Sequence, residues 1–205
     1  MIAQFLADLR ATTLLEMLAV AFGIVYIVLI ARRSRLGWIP GGISSAIYVY
    51  IAATALLPMQ SVLNFYYVVM AFYGWYSWTR EQQQGGGEEP PIVRWPLKMH
   101  LLAALVIVLV SALTARLLAR ETHAAWPYLD SFTTWTSLLA TWLVTRMKLE
   151  NWLYWMCADS VAVFLFAAQG HPFTALLFVV YITIATFGLR SWLRRYRAQT
   201  PQLAA

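Results

Sequence analysis

The nine residues Asn151–Asp159, NWLYWMCAD, open an apolar segment that runs to residue 168. On a helix Asn151, Trp155 and Asp159 lie four residues apart and stack along one face, with Trp152 a neighbour of Trp155. An Asp at the centre of a membrane helix costs roughly 2.5–3.5 kcal/mol on insertion scales, so it is expected to face a wet cavity or a partner and to mark a functional site. A shift of 114 residues, without a gap, lays Gly37–Ser45, GWIPGGISS, over this stretch, with Trp38 on Trp152 and Ser45 on Asp159. The same shift lays Pro58 on Pro172, Tyr67 on Tyr181, Gly74 on Gly188, Ser77 on Ser191 and Trp78 on Trp192. It also takes Glu16 to Asp130, Leu29 to Leu143 and Arg32 to Arg146. Apolar coincidences are common, whereas Trp, Pro, Gly and acidic matches at one offset mark an internal repeat.

Composition sets the class. Of 205 residues 61% are hydrophobic and only 12% charged, against about a quarter charged in soluble domains, so the chain reads as an all-α integral membrane protein. The net charge of +6 sits in residues between apolar segments, where it anchors and orients helices; nucleic acid is excluded as a partner. Cys157 is the single cysteine, and His100, His123 and His171 are scattered, so neither a disulfide framework nor a metal site is expected. Arg10 ahead of an apolar run imitates a signal peptide, but no small-residue cleavage site follows, and the run is expected to be a retained helix.

Seven stretches reach the length of about 20 apolar residues that a helical span needs: 13–31, 36–54, 60–79, 97–117, 129–147, 150–168 and 172–192. Residues 1–79 form the first three-helix repeat, 80–96 a cytoplasmic linker, 97–127 a linking helix 4 with an outer loop, 128–192 the second repeat and 193–205 a cytoplasmic tail. The linker's EQQQGGGEEPP is read as a flexible loop without a packed core; no GK[ST] follows the glycines, and no cofactor is expected. With seven spans, one side carries Arg10, Arg116 and Arg120 and the other the remaining twelve of the fifteen Lys and Arg. By the positive-inside rule the N-terminus is outside and the C-terminus cytoplasmic. Three spans reverse the chain and helix 4 restores its direction, so both triplets run the same way. This 3+1+3 parallel-repeat arrangement is SWEET-like, with substrate expected at the midplane between repeats.

LEMLAVAFGIVYIVLIARRSRLGWIPGGISSAIYVY, NFYYVVMAFYGWYSW and YLDSFTTWTSLLATWLVTRMKLENWLYWMCADSV resemble the PnuC family of bacterial vitamin transporters, from Glu16 to Trp192. YGWYSW and ENWLYW carry the resemblance most specifically. It implies a homotrimer in the bacterial inner membrane and facilitated diffusion of nicotinamide riboside, trapped when a cytoplasmic kinase phosphorylates it. Carriers of nicotinamide riboside are associated with a W-x3-W-x3-N pattern on helix 6, and the matching positions here are Asn151, Trp155 and Asp159. Some members of the family carry thiamin, which remains the alternative. Both molecules are cationic, flat and aromatic.

Asp159 lies nine residues into helix 6, roughly 13 Å deep at 1.5 Å per residue, near the middle of a hydrocarbon core about 30 Å thick. Two roles fit it: balancing a cationic ligand, or locking helices together by a bond to Ser45. Trp155 suits stacking, since a desolvated cation over a Trp face gains about 2 kcal/mol. Trp38 and Trp152, near the inner ends of helices 2 and 6, fit an inner gate or an anchor. Trp75, Trp78 and Trp192 read as belt residues at the membrane interface. Gln60, Asn64 and Tyr67 follow at i, i+4 and i+7 on helix 3, where an uncharged amide both donates to and accepts from a carboxamide or aminopyrimidine. Asn64 equally suits a bond across helices. Glu16 and Asp130 read as solvated interfacial acids. An intramembrane enzyme needs a nucleophile with a base, which this pattern does not supply. A proton-coupled symporter, with Asp159 binding the proton, is the third possibility.

Overall fold

The computed structural model describes residues 13–54, 58–86, 89–121 and 126–203. Among them lie seven α-helices: α1 Leu14–Ala31, α2 Trp38–Thr54, α3 Pro58–Gln84, α4 Leu97–Glu121, α5 Pro127–Thr145, α6 Asn151–Ala168 and α7 Pro172–Leu203, with one 3-10 turn at Arg35–Gly37. Local chemistry sets the helix starts. Thr13 and Glu16 close a capping box at α1, and prolines open α3, α5 and α7, where a helix leaves N–H groups unpaired in any case. Glu16 is thus engaged at a helix cap and is not merely solvated.

The ends of α1 and α5 repeat bond for bond. Arg33 (φ +62°) donates its N–H to Ile30 and Ser34 to Leu29; Met147 (φ +50°) donates to Val144 and Lys148 to Leu143, each position 114 residues from its counterpart. Both are Schellman-type terminations, made here on residues with a Cβ, although glycine is the usual occupant of that left-handed position. The triplets α1–α2–α3 and α5–α6–α7 each pack in sequence. They meet through α1 against α7 and α3 against α5, while α4 packs mainly on α5.

The strongest packing lies at the arginine-rich end. Trp38 covers Gly74 and Trp152 covers Gly188, so closely that a Cβ on either glycine would approach the indole to 2.4 and 2.6 Å. Trp38 meets Trp78 edge-on at 5.4 Å, Trp152 meets Trp192 edge-on at 5.6 Å, and Trp78 and Trp192 close the cluster at 6.3 Å. Trp192 also donates Nε1–H to the Ile30 carbonyl at 3.2 Å. Trp78 and Trp192, expected as interface anchors, are therefore core residues, 1% and 0% exposed. The missing Cβ of Gly74 and Gly188 lets Trp38 and Trp152 press close against α3 and α7, where they meet Trp78 and Trp192.

Two further expectations change. Among the described residues, five segments are long and apolar enough to cross a bilayer by length and composition: Leu14–Ala31, Arg35–Thr54, Leu97–Leu117, Asn151–Ala168 and Pro172–Gln199. Helices α3 and α5 fall outside that set because they carry polar residues along the face they turn inward. The linker is also shorter and more ordered than its composition suggests. Residues 80–84 continue α3, residues 193–203 continue α7, and Ile92 is buried in the tryptophan cluster.

Alanine normally gains about 1 kcal/mol over glycine inside a helix, but at Gly188 it meets an indole with no room to move. Gly188→Ala is expected to lower stability by about 1–3 kcal/mol, the usual range for overpacking, and Trp152→Leu in the same chain to recover part of it. Thermal melting of the detergent-solubilised protein reads this directly; an unchanged or raised Tm for the single variant contradicts the packing.

Candidate functional site

A cavity of about 400 Å³ lies between the two triplets, within the size range of small-molecule sites. Its walls come from both repeats. Helix α3 contributes Gln60, Asn64 and Tyr67, α2 contributes Ser45 and Tyr48, and α6 contributes Trp152, Trp155 and Asp159. A smaller recess of about 100 Å³ continues toward Trp38, between Tyr26 and Trp155. Eight of the nine residues singled out in the sequence thus line one of two adjoining spaces.

Asn151 is the exception. It is fully buried at the first position of α6, away from both spaces, and donates its side-chain N–H to the Lys148 carbonyl at 2.6 Å. The periodicity that aligned it with Trp155 and Asp159 holds along the helix, but a residue in the first turn is captured by the preceding loop.

Asp159 is 6% exposed, and no hydrogen bond or ion pair joins it to another described residue. The alternative of an Asp159–Ser45 lock is not realised. Its neighbour Ser44 is the residue that ties two helices, donating to the Ala19 carbonyl of α1 at 2.8 Å. Nor does Asn64 bond across helices: its Nδ2–H goes to the Gln60 carbonyl of its own helix at 2.8 Å. Trp152 forms the boundary between the cavity and the tryptophan cluster, since it lines the one and packs within the other.

The repeat is broken at the recess beside the cavity. In the first half the bulk is Tyr26 on α1 and the small residue is Gly41 on α2, where an added Cβ would meet the Tyr26 ring at 2.6 Å. Their counterparts 114 residues on are Ala140 and Trp155, so bulk and space have changed places. The exchange keeps each half packed while swinging the large aromatic of the second half onto the site helix.

Helix α5 holds what sequence reading missed. Asp130, Thr133, Thr134 and Ser137 all line the cavity. Asp130, expected as a solvated interfacial acid, is a wall residue at the start of α5, so the lining carries two carboxylates and, among the described residues, no Lys, Arg or His. The signal was the spacing 130, 133, 134, 137, a polar stripe on one helical face; in a membrane helix such a stripe turns toward a cavity.

A family model described as nicotinamide mononucleotide transporter matches residues 13–194. The chain is 27% identical over 161 residues to the nicotinamide riboside transporter PnuC of Escherichia coli K12, a match covering 66% of each chain. It thus spans just under two thirds of that relative's length. It is 26% identical to the riboflavin/roseoflavin transporter RibM of Streptomyces davaonensis, over 92% of this chain and 89% of that one. A crystal structure of the vitamin B3 transporter PnuC shares the fold, with a TM-score of 0.73 at 21% identity, over 96% of this chain and 88% of that chain.

Placement separates two residues that lie on one helical face. Asn151→Ala is expected to lose about 1 kcal/mol of stability with its loop hydrogen bond and to leave the affinity of any cavity ligand within about twofold, or 0.4 kcal/mol. Trp155→Ala is expected to weaken that affinity about tenfold or more, or 1.4 kcal/mol. Melting and calorimetric titration of both variants check the pair; a reversed pattern refutes the placement of Asn151.

Proposed function

The chain belongs to the nicotinamide mononucleotide transporter family, and on that premise we propose that it is a membrane carrier for a small cationic aromatic vitamin. Nicotinamide riboside is the first reading and thiamin the alternative. The observation that carries this is Asp159: a carboxylate shielded from bulk solvent, with no hydrogen-bond or ion-pair partner among the described residues, in a cavity with a second acid and no base among the described lining. A fixed positive charge on a flat ring supplies the missing counter-charge, and Trp155 supplies a face on which to stack it. The same electrostatics oppose a phosphorylated substrate, so the mononucleotide in the family's description is not the expected cargo. Gln60 and Asn64 supply the amide chemistry for a carboxamide or aminopyrimidine edge.

A flavin is the second reading, favoured by the near full-length match to RibM. It uses the same aromatic wall but brings no charge to Asp159.

The carrier is read as two parallel triplets about α4, in a 3+1+3 arrangement like that of the SWEET carriers. It lies in the bacterial inner membrane with the N-terminus outside and the arginine-rich end cytoplasmic. Assembly as a homotrimer and trapping by a cytoplasmic vitamin kinase rest on the family resemblance. Movement is facilitated diffusion. A proton-coupled symporter, using Asp159 as its proton site, instead predicts accumulation against a gradient in vesicles that carry a pH difference and no kinase.

A calorimetric panel of nicotinamide riboside, thiamin, riboflavin and nicotinamide mononucleotide tests the substrate class. One cationic vitamin is expected to bind, the mononucleotide is not, and Asp159→Asn is expected to weaken the binding at least tenfold, about 1.4 kcal/mol. Equal affinity in the variant, or binding of riboflavin alone, overturns the cationic reading.

A further inference from the structure

The linker between the triplets does more than join them. Glu89 accepts from Arg33 at the α1–α2 corner at 3.0 Å and from Arg195 on the α7 extension at 2.8 Å, so one carboxylate bridges both halves. Arg33 is 4% exposed in its side chain and also donates to the Pro90 carbonyl. Ile92 is buried among the tryptophans, and its N–H goes to the Gln199 side chain at 3.2 Å. Val93 donates to the Met147 carbonyl at 3.1 Å and accepts from Leu149 at 3.0 Å, pairing with Lys148 as a single β-bridge. Glu150, buried beside the start of the site helix α6, accepts from Arg94 Nε at 3.0 Å and from the Trp95 N–H at 3.2 Å.

We propose that residues 89–96 form a strap closing the cytoplasmic exit below Trp152, and that the strap lets go in each transport cycle. The inference rests on the carrier reading of the cavity above it. A segment whose only task is to connect α3 to α4 needs none of these bonds. Here they run from the corner of one triplet to the corner of the other, across the tryptophan cluster under the cavity floor. The hold is built to be reversible. Glu89 and Arg195 are both partly exposed, so the ion pair between them is open to water and screened by salt, and the bridge at Val93 is an isolated pair of hydrogen bonds with no further ladder. Ile92 is the wedge: it is buried in the cluster that also holds Trp78, Trp152 and Trp192, and withdrawing it opens that cluster. The charged and titratable groups facing the strap are Arg33, Glu150, Arg195 and His100, whose Nδ1 lies 3.0 Å from the Tyr154 hydroxyl and whose Nε2 lies 4.0 Å from Glu150.

The test combines a lock and a reporter in a Cys157→Ser background. Val93→Cys with Lys148→Cys places two thiols on bridge partners, roughly 5 Å apart as paired strands are and within disulfide reach. Ser45→Cys reports access to the cavity through labelling by a membrane-impermeant maleimide, counted at residue 45 alone by peptide mass mapping because the reduced lock thiols also react, in inside-out and right-side-out vesicles; this readout needs no substrate. Oxidising the lock is expected to slow labelling from the cytoplasmic side at least tenfold, with recovery on reduction, and Glu89→Gln without the lock to speed it severalfold. Cytoplasmic labelling unchanged by both the lock and Glu89→Gln overturns the strap. Should either variant fail to fold or to cross-link, the other decides by the same reading. Labelling from neither side overturns the carrier reading instead, so the two failures are distinct.

Discussion

A carboxylate in hydrocarbon must find a counter-charge or water, and most of this molecule's departures from a plain apolar bundle follow from meeting that demand at Asp159. No described residue answers the charge with a hydrogen bond or ion pair. The two halves stand apart around it, and two of the helices that border the gap, α3 and α5, do not qualify as spans on hydropathy. Helix α3 turns Gln60 and Asn64 inward, and α5 turns Asp130, Thr133, Thr134 and Ser137. Their polarity lines the cavity, and among the described residues it is offset by five segments that are apolar enough to hold the bundle in the bilayer.

The repeat provides a scaffold and then departs from it at chosen places. The positions that stay matched are packing positions: Trp38 and Trp152, Gly74 and Gly188, Trp78 and Trp192, and the paired left-handed residues Arg33 and Met147. Several of the positions that diverge line the cavity or its recess. Ser45 becomes Asp159, and the Tyr26–Gly41 pair becomes Ala140–Trp155. The end pair Glu16 and Asp130 also parts company, because Thr13 can cap its helix while its counterpart Pro127 cannot. Freed from a cap, Asp130 joins the cavity wall. The second half therefore holds both acids and the stacking tryptophan, and the first half supplies amides and hydroxyls opposite them.

Much of this was legible in the chain. Seven apolar segments, one offset and one acid at mid-depth lead to the helices, the repeat and the site helix without coordinates. What escaped depends on which way a side chain faces. A tryptophan near the end of a membrane helix has the same sequence neighbourhood whether it meets headgroups or another indole, so Trp78 and Trp192 read as anchors; the clue is Gly74 and Gly188 on the same helices, against which Trp38 and Trp152 settle to meet them. Asn151 fits the helical spacing of the site, but only the loop before it shows that its amide is already held by Lys148. The linker's order was invisible for another reason. Its composition is that of a solvated loop, and its partners Arg33, Glu150, Arg195 and Gln199 lie far away in sequence.

The central claim is that Asp159 and Trp155 together hold a positively charged ring. A structure of the protein with its cationic vitamin bound tests it most directly. The account predicts the charged ring within about 4 Å of the Asp159 carboxylate, the range of an ion pair, and within about 6 Å of the Trp155 ring centroid, the range of a cation–π contact. A ligand bound elsewhere, with Asp159 hydrogen-bonded to a protein group such as Ser45 or Tyr67, contradicts it.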